Sequence, residues 1–167
     1  TEAGIEILKR GGNAIDALLA VQWVLAVVEP QSSGLGGGGF LLYYDAATQK
    51  TYALDGREEA PAEIPENIFL DGAGKPLPFP ARIAGGRAVG VPGTVALLDY
   101  AERRFGGKKI TFAETFDRAI LLAEQGIRVS PRLSQAMRIN RDRLKTQNGG
   151  NVPLLMSGEP YAVGEIL

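Results

Sequence analysis

The sequence predicts an α+β chain, mostly helical with one β-hairpin, and three observations carry that expectation. Stretches near both ends show the apolar spacing of helices. Two runs rich in aromatic and aliphatic residues, Phe40 to Asp45 and Lys50 to Asp55, flank a short polar connection. Helices, hairpin, long loop and further helices follow one another as blocks instead of alternating strand with helix. With 167 residues, 45% of them hydrophobic and 22% charged, the chain can bury a core, and one domain over residues 1–167 is the expectation.

The elements follow in order. Thr1 to Leu8 reads as a helix already in mid-course, stopped by Gly11-Gly12, so the chain is taken as trimmed at its N-terminus. Asn13 can cap a second helix by accepting from a first-turn N–H, with Asp16 placed where a carboxylate suits the helix dipole. That helix, Ala14 to Val28, is apolar almost all round and ends at Glu29-Pro30, the pattern of a helix enclosed by other elements. The two β-type runs, joined by Ala46-Ala47-Thr48-Gln49, form the hairpin.

Pro61 to Pro92 is rich in proline and glycine and is expected to be a long irregular excursion. Helical periodicity returns over Thr94 to Phe105, stopped by Gly106-Gly107. Thr111-Phe112-Ala113-Glu114 matches a capping box and opens a helix to Gln125, with Gly126 as its stop. Ser130-Pro131 starts a last helix, expected to run to about Lys145, before an Asn148-Gly149-Gly150-Asn151 loop. Its basic residues, Arg132, Arg138, Arg141, Arg143 and Lys145, suggest pairing with the acidic helix before it. Val152 to Leu167 shows no clear period.

Composition removes several chemistries. The chain has no cysteine and no histidine, which excludes disulfides, thiol nucleophiles, histidine acid-base catalysis and the usual zinc sites. Its 18 basic and 19 acidic residues are interspersed, without the basic stripe a nucleic acid or an acidic membrane would need. The apolar run Ala17 to Val28 is too short to span a bilayer comfortably. No cofactor is implied.

Five glycines within Gly34-Leu35-Gly36-Gly37-Gly38-Gly39 free the backbone to take positive φ repeatedly or to approach another group closely. The run contains G-x-G-x-x-G, yet it follows a helix and opens a strand, the reverse of a dinucleotide fingerprint. A phosphate-binding P-loop is excluded too, since Phe40 stands where Lys would follow. Two readings remain, a close-packed structural turn and a loop lining a site. Just past the second strand, Arg57 could hold a substrate carboxylate by two parallel hydrogen bonds, or could form a surface pair with Glu58 or Glu59. Glu58 and Glu59 as an acid–base pair is the weaker reading, because adjacent residues do not easily face one substrate; solvated charges are expected. Thr1 could in principle act as an N-terminal nucleophile, but an ordinary helix cap is expected there.

The segments Leu8 to Ala17, Val28-Glu29-Pro30, Ser33 to Phe40, Asp55-Gly56-Arg57-Glu58-Glu59-Ala60-Pro61 and Gly90-Val91-Pro92-Gly93-Thr94, in that order, resemble the γ-glutamyltranspeptidases. The resemblance runs to about Ser130. It implies the N-terminal part of the large subunit, a share of the αββα sandwich of the N-terminal-nucleophile hydrolases that would be incomplete in isolation. In that family one precursor cuts itself in two, and the small subunit's new N-terminal threonine is the nucleophile.

By the same resemblance Arg57 binds the α-carboxylate of the γ-glutamyl group, and no catalytic residue lies in this chain. The implied partners are a glutathione-like γ-glutamyl substrate and the remainder of the precursor, in a periplasmic or extracellular setting. An acylase removing glutaryl groups from β-lactam precursors, and a non-catalytic scaffold, are the competing readings. The Gly72 to Gly86 segment looks longer and richer in proline than the family pattern, which leaves substrate preference open.

Overall fold

A computed structural model describes residues 1–83, 85–146 and 152–167. The expected Asn148–Asn151 loop lies outside the described residues. The elements are helices α1 (Glu2–Lys9) and α2 (Ala14–Val28), strands β1 (Gly39–Asp45) and β2 (Lys50–Gly56), then helices α3 (Phe79–Arg82), α4 (Thr94–Phe105), α5 (Asp117–Gln125), α6 (Pro131–Ile139) and α7 (Arg141–Thr146), and short strands β3 (Leu155–Met156) and β4 (Glu159–Pro160). The α+β expectation holds. Two compact units are formed, one from residues 1–34 and 100–167, the other from residues 35–99.

In the first unit α2 is the central element, and no residue of it beyond Ala14 is exposed. Its N-terminus carries a complete capping box: the Asn13 side chain accepts from the N–H groups of Ile15 and Asp16, and Asp16 accepts from the Asn13 N–H at 2.8 Å. The sequence reading had only the first half of this. Asp16 is 2% exposed and also accepts from the Gly107 N–H at 2.9 Å, while Asn13 Nδ2 donates to the Phe105 carbonyl at 2.7 Å. The cap therefore also lashes the turn after α4 to the start of α2.

Ala3 and Ile7 of α1 pack on Ala17 and Ala20 of α2 with Ile110. The two helices come so close that a methyl group at Gly4 would lie 2.9 Å from Val21 Cγ2. Thr1 occupies the N-cap position of α1, but its side chain accepts no capping bond. Farther along α2, Trp23 stacks on Phe116 with ring centroids 4.3 Å apart and donates through Nε1 to Thr115 Oγ1 at 3.0 Å. The Thr111–Glu114 capping box is present, and the helix it opens begins with a 3₁₀ turn, Ala113–Phe116, before α5.

Ser130 caps α6 by accepting from the Leu133 N–H at 3.1 Å. The single helix expected to Lys145 is instead two. Asn140 ends α6, its Nδ2 donating to the Ala136 carbonyl at 2.8 Å, because a short amide side chain competes for backbone groups. The basic residues do not pair with an acidic helix either. Arg141 and Lys145 engage Glu159 of β4, and Arg132 reaches Glu29 and Ser32 after α2. The tail that showed no period is a strand partner: Ile127 and Leu167 exchange two backbone hydrogen bonds at 2.9 and 3.0 Å. Leu167 and Leu154 thereby pack against the cluster of Ile127, Val129, Leu133 and Met137.

The second unit holds the hairpin, whose antiparallel register runs from Gly39 opposite Gly56 to Asp45 opposite Lys50. One face carries Leu41, Tyr43, Tyr52 and Leu54, each buried or half-buried. The other exposes Phe40, Leu42 and Tyr44 at 70, 78 and 57%. The proline-rich excursion is irregular as expected, apart from α3 and a 3₁₀ turn at Gly86–Ala88.

Candidate functional site

Arg57 is the first residue beyond β2, and its surroundings in the second unit are built from three stretches far apart in sequence. The first is the strand end itself. Asp55 Oδ1 accepts from the Arg57 N–H at 2.9 Å, an Asx turn that fixes how the chain leaves the sheet. The second is the glycine run, whose Gly37 carbonyl accepts from the N–H groups of both Gly93 and Thr94 at 3.0 Å. The third is Gly90 to Thr94, joined to the arginine loop by the Val91 N–H donating to the Glu59 carbonyl at 2.8 Å.

The glycines in these stretches serve close approach. None of Gly34 to Gly39 is among the residues with positive φ, so of the two freedoms open to the run that one is not taken. What it uses is the missing side chain. A methyl group at Gly38 would lie 2.5 Å from the Gly56 carbonyl oxygen and 2.7 Å from the Glu58 nitrogen. One at Gly93 would lie 2.1 Å from the same Gly56 oxygen and 3.2 Å from that of Arg57. Real atoms do not approach so closely, so a bare Cα at Gly38 and at Gly93 is a steric requirement of the Gly56–Glu58 segment.

Arg57 is 69% exposed and pairs with Glu58, Nε to Oε2 at 3.3 Å. The surface pair is thus formed, and it uses Nε, while the Nη atoms carry four of the five guanidinium N–H donors. Glu58 is not the solvated charge expected from sequence. Its side chain is only 31% exposed, and Oε2 itself is buried without accepting a hydrogen bond. Nothing in the neighbouring sequence signals this: Gly38, 20 positions away, closes on the carboxylate, and a methyl group there would touch Oε2 at 2.7 Å. Glu59 is exposed.

The remaining candidates lie in the first unit. Thr1 is exposed at the head of α1, and the basic residues of α6 and α7 belong, like it, to the first unit. Among the described residues no cluster of His, Cys, Asp and Glu could hold a metal ion, and no helix is long and apolar enough to cross a membrane. The arrangement around Arg57 leaves an exposed cation of the kind that a carboxylate can meet.

The γ-glutamyltranspeptidase family profile matches residues 1–167, the whole chain. The chain belongs to that family. It is 41% identical over 167 residues to a glutathione hydrolase proenzyme of Bacillus subtilis subsp. natto, covering all of this chain and 28% of that protein. Among solved structures it matches the γ-glutamyltranspeptidase of Helicobacter pylori with a TM-score of 0.90 and 37% identity, over 99% of this chain and 46% of that one. A cephalosporin acylase from Bacillus halodurans matches with a TM-score of 0.82 and 32% identity, over 99% of this chain and 31% of that one. The architecture is accordingly a share of the N-terminal-nucleophile hydrolase fold, and the chain spans less than half the length of these relatives.

Proposed function

We propose that the complete protein moves the γ-glutamyl group of glutathione or a related compound to water or an amino acid, with Arg57 holding the substrate's α-carboxylate. The observation that supports this reading is the mount of the arginine loop in a chain matched by the family over its whole length: Gly38 and Gly93 close on the Gly56–Glu58 backbone beside one exposed guanidinium. A planar fork of donors suits a carboxylate, and lysine could not reproduce it.

The nucleophile is a threonine outside these 167 residues. Its hydroxyl attacks the γ-carbonyl carbon, the amine of the leaving group departs with the proton, and a γ-glutamyl ester remains. Water or an acceptor amine then attacks the ester and the threonine hydroxyl is restored. Arg57 contributes orientation, since pinning one end of the substrate sets the carbonyl opposite the nucleophile. By itself the chain supplies a substrate clamp and no nucleophile, so it is inactive alone.

Its partner is the remainder of its own precursor. The uncovered Phe40, Leu42 and Tyr44 support this, because a two-stranded ribbon with an apolar outer face needs further structure over it. The likeness to a cephalosporin acylase keeps one alternative, removal of a glutaryl group, which also ends in a carboxylate.

The test is release of p-nitroaniline by the complete precursor from γ-glutamyl and glutaryl derivatives. Preference for γ-glutamyl supports the transferase, preference for glutaryl the acylase, and no release from either a scaffold without chemistry. In the active protein Arg57→Ala is expected to lower kcat/KM roughly 100-fold, the loss of a bidentate charge-assisted contact. Arg57→Lys recovers only part of it, and unchanged kinetics in Arg57→Ala would sink the assignment.

A further inference from the structure

We infer that Gly38 and Glu58 are positioning residues for Arg57: the bare Cα of Gly38 seats the Glu58 carboxylate, and that carboxylate holds the guanidinium by Nε so that its Nη edge meets a substrate carboxylate. This rests on the reading of Arg57 as the carboxylate clamp.

The observations are geometric. Arg57 is 69% exposed, and an arginine so exposed would sample many rotamers unless something held it. Oε2 of Glu58 lies 3.3 Å from Arg57 Nε and is buried with no hydrogen bond of its own, so this cation is the partner that offsets its burial. The position is available only because residue 38 has no side chain, whose first atom would stand 2.7 Å from that oxygen. The same atom would stand 2.5 and 2.7 Å from Gly56 O and Glu58 N, so Gly38 governs both the backbone under Arg57 and the carboxylate beside it.

Two effects of Glu58 oppose each other. Its negative charge weakens the pull of Arg57 on an incoming anion, while its contact removes the guanidinium's freedom before the substrate arrives. The contact on Nε leaves the Nη edge unspent, and preorganisation of that kind favours binding. The second effect is therefore expected to win.

The experiment uses the complete precursor and two substrates, γ-glutamyl-p-nitroanilide and 4-aminobutyryl-p-nitroanilide, which lacks only the α-carboxylate. The ratio of their kcat/KM values reads carboxylate recognition alone. Glu58→Gln, which keeps the shape of the side chain, is expected to lower that ratio about tenfold, the size of one charge-assisted contact. The change should appear in KM for the γ-glutamyl substrate, with kcat and the 4-aminobutyryl rates held within about twofold. Gly38→Ala should act in the same direction and Glu58→Asp should restore part of the ratio. Should Gly38→Ala fail to mature, Glu58→Gln decides.

A ratio unchanged in Glu58→Gln while Arg57→Ala abolishes it overturns the positioning role and leaves the clamp standing. Equal losses on both substrates, or a fall in KM, overturn it as well, the first showing a merely structural role and the second a competitor for Arg57. A ratio that survives Arg57→Ala overturns the clamp and this inference together.

Discussion

Asp16→Asn tests the link between the capping box and the tertiary structure of the first unit. The substitution keeps the shape of the side chain but replaces one carboxylate oxygen with an NH2 group. Asp16 Oδ2 serves the Asn13 N–H and Oδ1 the Gly107 N–H, so either way one buried donor is left facing another donor. Loss of one charge-assisted hydrogen bond with its partner left unsatisfied costs about 2–3 kcal/mol. For a chain of this size each kcal/mol lowers Tm by about 2–4 °C, so a fall of roughly 4–12 °C is expected. Asp16→Ala, which strands both donors, should fall further.

Trp23 is the chain's single tryptophan and sits in the same helix, 3% exposed, so its fluorescence follows the melting of this unit directly. Glu6→Gln, at an exposed position in the middle of α1, is the control and should leave Tm within about 1 °C. An Asp16→Asn variant melting within about 1 °C of the parent would refute the reasoning, because the two bonds would then contribute nothing net.

Two further outcomes follow from the tail of the chain. Gly126 ends α5 at φ 81 and ψ 163, a region closed to residues with a side chain, and a methyl group there would lie 2.5 Å from Ile166 Cγ2. Gly126→Ala should therefore loosen the pairing of Ile127 with Leu167 and raise amide exchange at Ile127 and Leu167 about tenfold or more; unchanged protection would count against it. Arg141 and Lys145 hold the Glu159 carboxyl at about 2, below its ordinary 4.5. A depressed carboxyl stabilises the folded state above about pH 4.5 and loses that contribution as pH falls towards 2, so exchange protection of β3 and β4 should weaken across this window. The pair is exposed, so added salt should flatten the effect, and Glu159→Gln should remove it.

How much of this could be read from the sequence depends on how local each cause is. Helix limits set by a cap or a stop, as at Asn13, Ser130 and Glu29-Pro30, were legible because the residue that ends the helix stands beside it. The hairpin was legible because its strands are separated only by a short polar turn. The break at Asn140 was not, since arginine-rich segments on both sides have good helix propensity and the amide's capture of the Ala136 carbonyl decides the matter. The tail was illegible for a different reason. Its order comes from Ile127 and Val129, some 40 positions upstream, and two-residue strands leave no period to detect.

The candidate site shows the same limit more sharply. Arg57 stood out by its place past a strand end, but spacing alone left a surface pair open and only the family resemblance preferred the site; the glycine run could be recognised as costly, yet the reason for the cost lay elsewhere. Conformational freedom and close approach are both uses of glycine, and a sequence cannot say which one applies. The structure separates them: the backbone of Gly34–Gly39 stays out of the positive-φ region, while Gly38 and Gly93 both close on the Gly56–Glu58 segment. Segments far apart in the sequence therefore meet at one place, the backbone from Gly56 to Glu59. The close-packed turn is the reading of the glycine run that these distances bear out, and the kinetics of Arg57→Ala test what that turn carries.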